Sequence, residues 1–298
     1  MCTAFISIAP GSAVPVLLLA VRDEYTDRQW LPPGRHWASR PSVTGGLDLT
    51  AGGTWLAVTP GSAPGTEAVA ACLLNGFGRS VPQQRLSRGG IPLIAAGGQV
   101  LTSSRMERYD PFHLILARPS GVRVISWSGS SMEEHELPAG LSVVLNDGLE
   151  GRTGGRTCSP HIRSTMSARA SHFRARLQAA ARPEPADGPP ADAWGDWLPI
   201  ACGDDLPLDD PAALIRRLRS PGGRVWGAVS ISMVALAPTG VRYDFGAVVT
   251  SASSTRITLK PVLVSAFRSR YEERADLHQG LRQLACSVSC PRRLRRSC

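Results

Sequence analysis

Met1-Cys2-Thr3-Ala4-Phe5-Ile6-Ser7-Ile8 opens the chain, Pro10-Gly11-Ser12 follows, and Val14-Pro15-Val16-Leu17-Leu18-Leu19-Ala20-Val21 runs straight into Arg22-Asp23-Glu24. Two apolar, β-branched runs separated by a turn tripeptide read as an antiparallel hairpin. The second run has no polar alternation, so it is predicted to be covered on both faces, as a central strand is. A short turn folds the charged end of the second strand back beside the start of the first. Cys2 is therefore expected next to Arg22 and Asp23, at the mouth of a sheet.

A cysteine at position two carries chemistry of its own. An initiator methionine is normally trimmed before a small residue, and trimming leaves Cys2 with a free α-amine beside its thiol. The amine has a pKa of about 8, the thiol one of about 8.5, and the thiolate is the attacking form. Base and nucleophile on one residue make the N-terminal-nucleophile version of base-activated covalent catalysis. Arg22 favours the thiolate or forks onto a substrate carbonyl or carboxylate, and Asp23 orients the amine. The competing reading is structural: a small inert thiol that starts a strand, and a charged turn that leaves the next one.

Further along, residues 53–59 and 68–75 read as strands. The second ends at Asn75, whose amide can donate to an oxyanion or stabilise the turn Asn75-Gly76-Phe77-Gly78. Leu141 to Leu145 is another strand, and Asn146 at its end is a second polar group for the same mouth. Hairpins are predicted at 113–117 with 122–127, and at 225–237 with 241–245. Pro32-Pro33-Gly34-Arg35-His36-Trp37 reads as an irregular loop. A helix is predicted over 167–182 from Ala170, Phe173, Leu177 and Ala181. A Pro/Asp/Ala linker follows over 182–190, then short capped helices over 192–200 and 209–218.

These segments resemble the NRDE family, the family of transport and Golgi organisation protein 2. The resemblance is carried by Met1-Cys2-Thr3, Val21-Arg22-Asp23-Glu24, Gly45-Gly46-Leu47-Asp48, Gly52-Gly53-Thr54-Trp55, Leu74-Asn75-Gly76 and Ser87-Arg88-Gly89. It continues through Tyr109-Asp110-Pro111-Phe112-His113, Val144-Leu145-Asn146-Asp147 and Trp194-Gly195-Asp196-Trp197, and covers roughly residues 1 to 247. It implies an α+β fold, a four-layer αββα sandwich of two antiparallel sheets like that of N-terminal-nucleophile hydrolases. Cys2, Arg22, Asp23, Asn75 and Asn146 are the implied catalytic residues. The implied activity is hydrolysis of a non-peptide C–N bond in a small molecule, with neither cofactor nor metal. The alternative is a non-catalytic carrier that binds haem or a lipid such as acyl-CoA in the same pocket. Two positions depart from the family pattern: Val21 stands where the motif has asparagine, and Trp226 to Ser232 lacks the arginine that supports the nucleophile in acylase relatives.

Composition narrows the field. The 298 residues carry a net charge of +9, and Lys260 is the only lysine, which points to a GC-rich coding sequence more than to a binding surface. The arginines show no interleaving with aromatics, so a nucleic-acid partner is not expected. No run of about 20 apolar residues exists, so no spanning helix is expected. The run ending at Val21 has no basic stretch before it and ends in charge rather than a cleavage site, which argues against a signal peptide. Seven cysteines at irregular spacing form no disulfide framework or zinc pattern, and reduced thiols in a cytoplasmic protein are expected. Residues 248–298 turn Ser/Thr- and Arg-rich and are expected to be a poorly ordered extension, dispensable for the fold.

Overall fold

The computed structural model describes residues 2–61, 66–78, 85–99, 101–152, 158–220, 222–250 and 255–264. The predicted hairpin is present: β1 (Thr3–Ile8) and β2 (Val16–Tyr25) pair antiparallel, with Thr3 opposite Val21 and Ile8 opposite Val16. The chain then builds a second sheet in strict sequence order. It comprises β3 (Trp30–Gly34), β4 (Thr44–Asp48), β5 (Leu56–Thr59), β6 (Val69–Asn75), β7 (Phe112–Arg118), β8 (Gly121–Trp127) and β9 (Met132–Glu136). Between β6 and β7 lie a 3₁₀ turn at Arg88–Gly90 and two short helices, α1 (Ile91–Ala96) and α2 (Ser103–Met106).

The remainder returns to the first sheet. β10 (Gly140–Leu145) pairs with β1 and with β11 (Gly148–Leu149). Helices α3 (Pro160–Ala179), α4 (Pro190–Trp194) and α5 (Trp197–Ala201) follow. Then come β12 (Arg217–Arg219), β13 (Val225–Ala237), β14 (Gly240–Thr250), β15 (Thr255–Ile257) and β16 (Lys260–Val262). β13 pairs with β2, so β2 lies in the middle of the sheet order β11-β10-β1-β2-β13-β14-β15.

Strand alternation sorts the apolar residues of β1 and β2 into two cores. Phe5, Leu17, Leu19 and Val21 pack with Phe173, Leu177, Trp194 and Trp197 of the helices. Ala4, Ile6, Val16, Leu18 and Ala20 pack with Leu56, Val58, Cys72, Ile115 and Val124 of the second sheet. A third cluster covers the far face of that sheet with Ile91, Leu93 and Met106. The result is the αββα sandwich expected from sequence, and each strand of the first sheet needs apolar side chains on both faces, as the unbroken run 14–21 requires.

Four expectations need correction. Residues 32–34 are not loop but part of β3, an edge strand whose register with β4 shifts between Leu31 and Gly34, an irregularity that accommodates Pro32 and Pro33. Residues 209–218 form no helix: Ala213, Leu214, Ile215 and Arg216 are all buried, and Arg217 pairs with Gly227 of β13, so tertiary packing overrides helical propensity. α3 begins seven residues earlier than predicted, because Ser159 accepts the Ile162 N–H and Pro160 occupies the first turn. The boundary after Ala247 falls inside β14. Val248 and Leu259 enter the helix-side core, β15 and β16 both pair with β14, and the compact unit runs to Val264. Residues 265–298, the rest of the expected extension, lie outside the described residues.

Candidate functional site

The ends of β1, β2, β4 and β6 frame a cleft of about 270 Å³. Cys2, Arg22, Asp23 and Asn75, four of the five residues singled out from sequence, line it. Arg28, Asp48, Trp55 and Arg88 line it too, and none of these was singled out for a role.

Cys2 immediately precedes β1 and is half-buried, packed against the core between the sheets. Its thiol donates to the backbone carbonyl oxygen of Asp23 at 3.6 Å, the cross-strand contact that the hairpin dictates. Burial pushes the Cys2 thiol up. The positive chain terminus, the hydrogen bond to Asp23 and the charge of Arg22 pull it down, while the charge of Asp23 adds to the rise; the net direction is upward. Arg22 therefore does not by itself hold Cys2 as a thiolate. The other described cysteines are also raised by burial, Cys202 to about 11.

Arg22 and Asp23 are neighbours in sequence but point to opposite faces of β2, as strand residues do. Arg22 turns toward the second sheet. Its guanidinium lies 4.3 Å over the Trp55 ring and donates from Nη2 to Asp48 Oδ2 at 2.9 Å. Asp48 also accepts from Arg28 Nε at 2.6 Å and Nη2 at 3.0 Å, and from the backbone N–H groups of Thr50 and Ala51. Burial works against ionisation of Asp48. The Arg28 and backbone hydrogen bonds and the two guanidinium charges outweigh it, so its pKa is held below the ordinary value. Gly46 makes this stacking possible, since a Cβ there would meet the Trp55 ring at 2.2 Å.

Asp23 turns toward the helices. Its Oδ2 accepts from Arg169 Nη1 of α3 at 3.1 Å, and the same nitrogen donates to Thr3 Oγ1 at 3.2 Å. Both partners of this ion pair are almost fully buried. The strand Trp226–Ser232 lacks an arginine; Arg169 comes from α3 and reaches Asp23 and Thr3. Val21, where the motif has asparagine, faces the helical core and not the cleft. β13 carries a bulge between Ala228 and Ser230, directly opposite Asp23 and Arg22. Such bulges re-aim strands beside functional sites.

Asn146 does not line the cleft. It stands just past β10, and its Nδ2 donates to the backbone carbonyl oxygen of Asn75 at 2.5 Å. It ties the end of β10 in one sheet to the end of β6 in the other. Behind it, His113 joins the same knot: Nε2 lies 3.3 Å from the Asn146 carbonyl oxygen and Nδ1 lies 2.9 Å from Ser126 Oγ. A carbonyl only accepts, so Nε2 carries the proton and Nδ1 accepts from the hydroxyl. Burial lowers His113 to about 4, against which the bond to Asn146 works.

A pH effect follows from that shift. The unfolded histidine takes up a proton near pH 6.5, whereas the folded one resists until about pH 4. Between those values the unfolded state binds more protons, so stability falls as pH drops through this window, by about 3 kcal/mol in total. Urea unfolding at pH 7 and pH 4.5 should show the loss, and His113→Gln should flatten it. An unchanged slope in the variant would assign the loss to other groups.

The family model described as Transport and Golgi organisation 2 matches residues 1–177. The matched stretch contains Cys2, Arg22, Asp23, Asn75, Asn146 and Arg169, and ends inside α3. No curated protein matches the chain. Among the described residues no helix is long and apolar enough to cross a membrane.

Proposed function

The chain belongs to the Transport and Golgi organisation 2 family, and from that premise we propose that the cleft is an N-terminal-cysteine amidohydrolase site acting on a non-peptide C–N bond. The observation that carries this reading is the placement of Cys2 in a polar cleft, flanked by Arg22, with Asp23 across the hairpin. Removal of whatever precedes Cys2 puts a free α-amine on the same residue. The raised thiol pKa then ceases to be an obstacle, because the amine takes the thiol proton as Sγ attacks the amide carbonyl carbon. Asn75, at the cleft wall, donates to the resulting oxyanion. The C–N bond breaks as the amine hands its proton to the leaving nitrogen, and a thioester remains on Cys2. Water attacks the thioester, gives its proton to the α-amine, and releases a carboxylic acid and the thiol.

The supporting residues act through others. Arg169 holds the Asp23 carboxylate beside the chain start, and Asn146 holds the Asn75 backbone. A volume of about 270 Å³ lies just below the span of drug-sized sites, about 300–1,000 Å³, and suits a small substrate. The carrier reading fits this cleft less well. Its lining is charged at Arg22, Asp23, Glu24, Arg28, Asp48, Arg88 and Asp110, which offers little apolar wall to a haem macrocycle or an acyl chain.

The test is direct. Intact mass of the purified protein should give a chain beginning at Cys2. Iodoacetamide at limiting reagent should then alkylate Cys2 before Cys72, Cys158 and Cys202. A retained Met1, or Cys202 labelling first, would remove the base or the nucleophile from the scheme.

A further inference from the structure

Arg22 and Arg28 of the cleft both stand within ion-pair distance of Asp48 and of Glu24. Asp48 takes both Arg22 and Arg28, Asp23 takes Arg169, and Asp110 takes Arg85 at 3.1 Å. Arg88 also lines the cleft, half-buried, and among the described residues its guanidinium makes one hydrogen bond, from Nη1 to the Pro111 carbonyl oxygen at 2.7 Å. No described carboxylate oxygen lies within 4.0 Å of it. A guanidinium offers five N–H donors in a planar fork that matches a carboxylate, so most of this fork is left over, facing a cleft that also holds the nucleophile.

The backbone that carries Arg88 is held firmly. Ser87 caps the 3₁₀ turn by accepting the Gly89 N–H, and the Thr54 N–H donates to the Gly89 carbonyl oxygen at 2.9 Å. Gly53 and Gly89 meet backbone to backbone: a Cβ on Gly53 would lie 2.3 Å from the Gly89 carbonyl carbon. With its stem fixed and one donor pinned to Pro111, Arg88 loses little freedom on gripping a ligand. Burial lowers its pKa, while the charges of Asp110 and Cys2 oppose the shift. That is the condition of a partly desolvated cation whose counter-ion is distant.

We propose that Arg88 binds a carboxylate of the substrate, so that the site takes anionic amides: N-acyl amino acids or the monoamides of dicarboxylic acids. This deepens the hydrolase reading and rests on it for the word substrate, but the anion site itself does not depend on turnover. Binding is therefore measured in the Cys2→Ala background by calorimetry. The probes are N-benzoylglycine and N-phenylsuccinamate, which carry the carboxylate on opposite sides of the amide, each against its uncharged primary-amide counterpart.

At least one anion should bind about tenfold or more tightly than its neutral partner, and added salt should weaken it. Arg88→Ala and Arg88→Gln in the same background should erase that preference. Arg88→Lys should keep part of it, because a point charge lacks the fork. The glutamine variant keeps a polar amide in place of the charge, and melting curves check both variants for a folding defect. Equal binding of charged and neutral probes, no binding of either anion, or a preference that survives Arg88→Ala would overturn the proposal. An intact anion preference with no turnover in the parent protein sinks the hydrolase reading alone. Turnover of neutral amides without an anion preference sinks this one alone.

Discussion

Cys2→Ala is expected to abolish amide hydrolysis, by roughly 10⁴-fold or more, while leaving ligand binding and stability nearly unchanged. The size follows from removing the nucleophile of a covalent mechanism, after which only positioning and oxyanion donors remain. Stability should hold because the residue is half-buried at the chain start and its side chain makes one weak S–H contact, to the Asp23 carbonyl. The measurement is single-turnover product formation on anionic and neutral amides, with a melting curve for each protein. Equal rates in parent and variant would rule out an N-terminal nucleophile. Loss of rate together with loss of the fold would transfer the effect from chemistry to structure, and Cys2→Ser would then separate the two.

Arg169→Met should be the most destabilising of the substitutions at the site, by about 3–5 kcal/mol. It removes one partner of an ion pair that is almost wholly out of water, and breaking a buried pair costs about that much. The ion pair is short, 3.1 Å, and shared with Thr3 Oγ1 in the strand next to the nucleophile. Urea unfolding at pH 7 should show a midpoint lower by about 1 M or more. The double variant Asp23→Asn with Arg169→Met should recover much of the loss, because no charge is then stranded. A midpoint shift equivalent to less than about 1 kcal/mol would mean that solvent reaches the pair. In the parent background the double variant should remain slow even when its stability is restored. That readout distinguishes a residue that positions the reacting group from one that only holds the fold.

Much of the architecture was legible along the chain because its signals are local. The run 14–21 has no polar interruption, and a strand with apolar residues on both faces can only sit between two other layers. The tripeptide Pro10-Gly11-Ser12 brought Cys2 and Asp23 together, and the thiol does contact the Asp23 carbonyl. Asn75 ends β6 at the cleft as its position after a buried strand suggests. Less legible were edge elements and transitions. The pair Pro32-Pro33 reads as loop unless one knows that β3 lies at a sheet edge, and the Ser159-Pro160 start of α3 was available as a cap signal but lay outside the apolar period.

The sequence alone determined the central hairpin and the cysteine, arginine and aspartate brought together at its end, whereas the sandwich was what the family resemblance implied. Periodicity and turn chemistry are properties of a few consecutive residues, so they survive without any knowledge of the fold. Only the tertiary structure decided what those residues do to one another. Arg22 and Asp23 look like a pair but alternate to opposite faces of β2. One is bound by Asp48 and Trp55 of the other sheet, the second by a helical arginine 146 positions away. Among the described residues it likewise left Arg88 without a close carboxylate, in a cleft where Arg22 and Arg28 stand beside Asp48 and Glu24. Ion pairs of that separation depend on how the layers stack, and stacking is set by the whole apolar pattern rather than by any stretch of it.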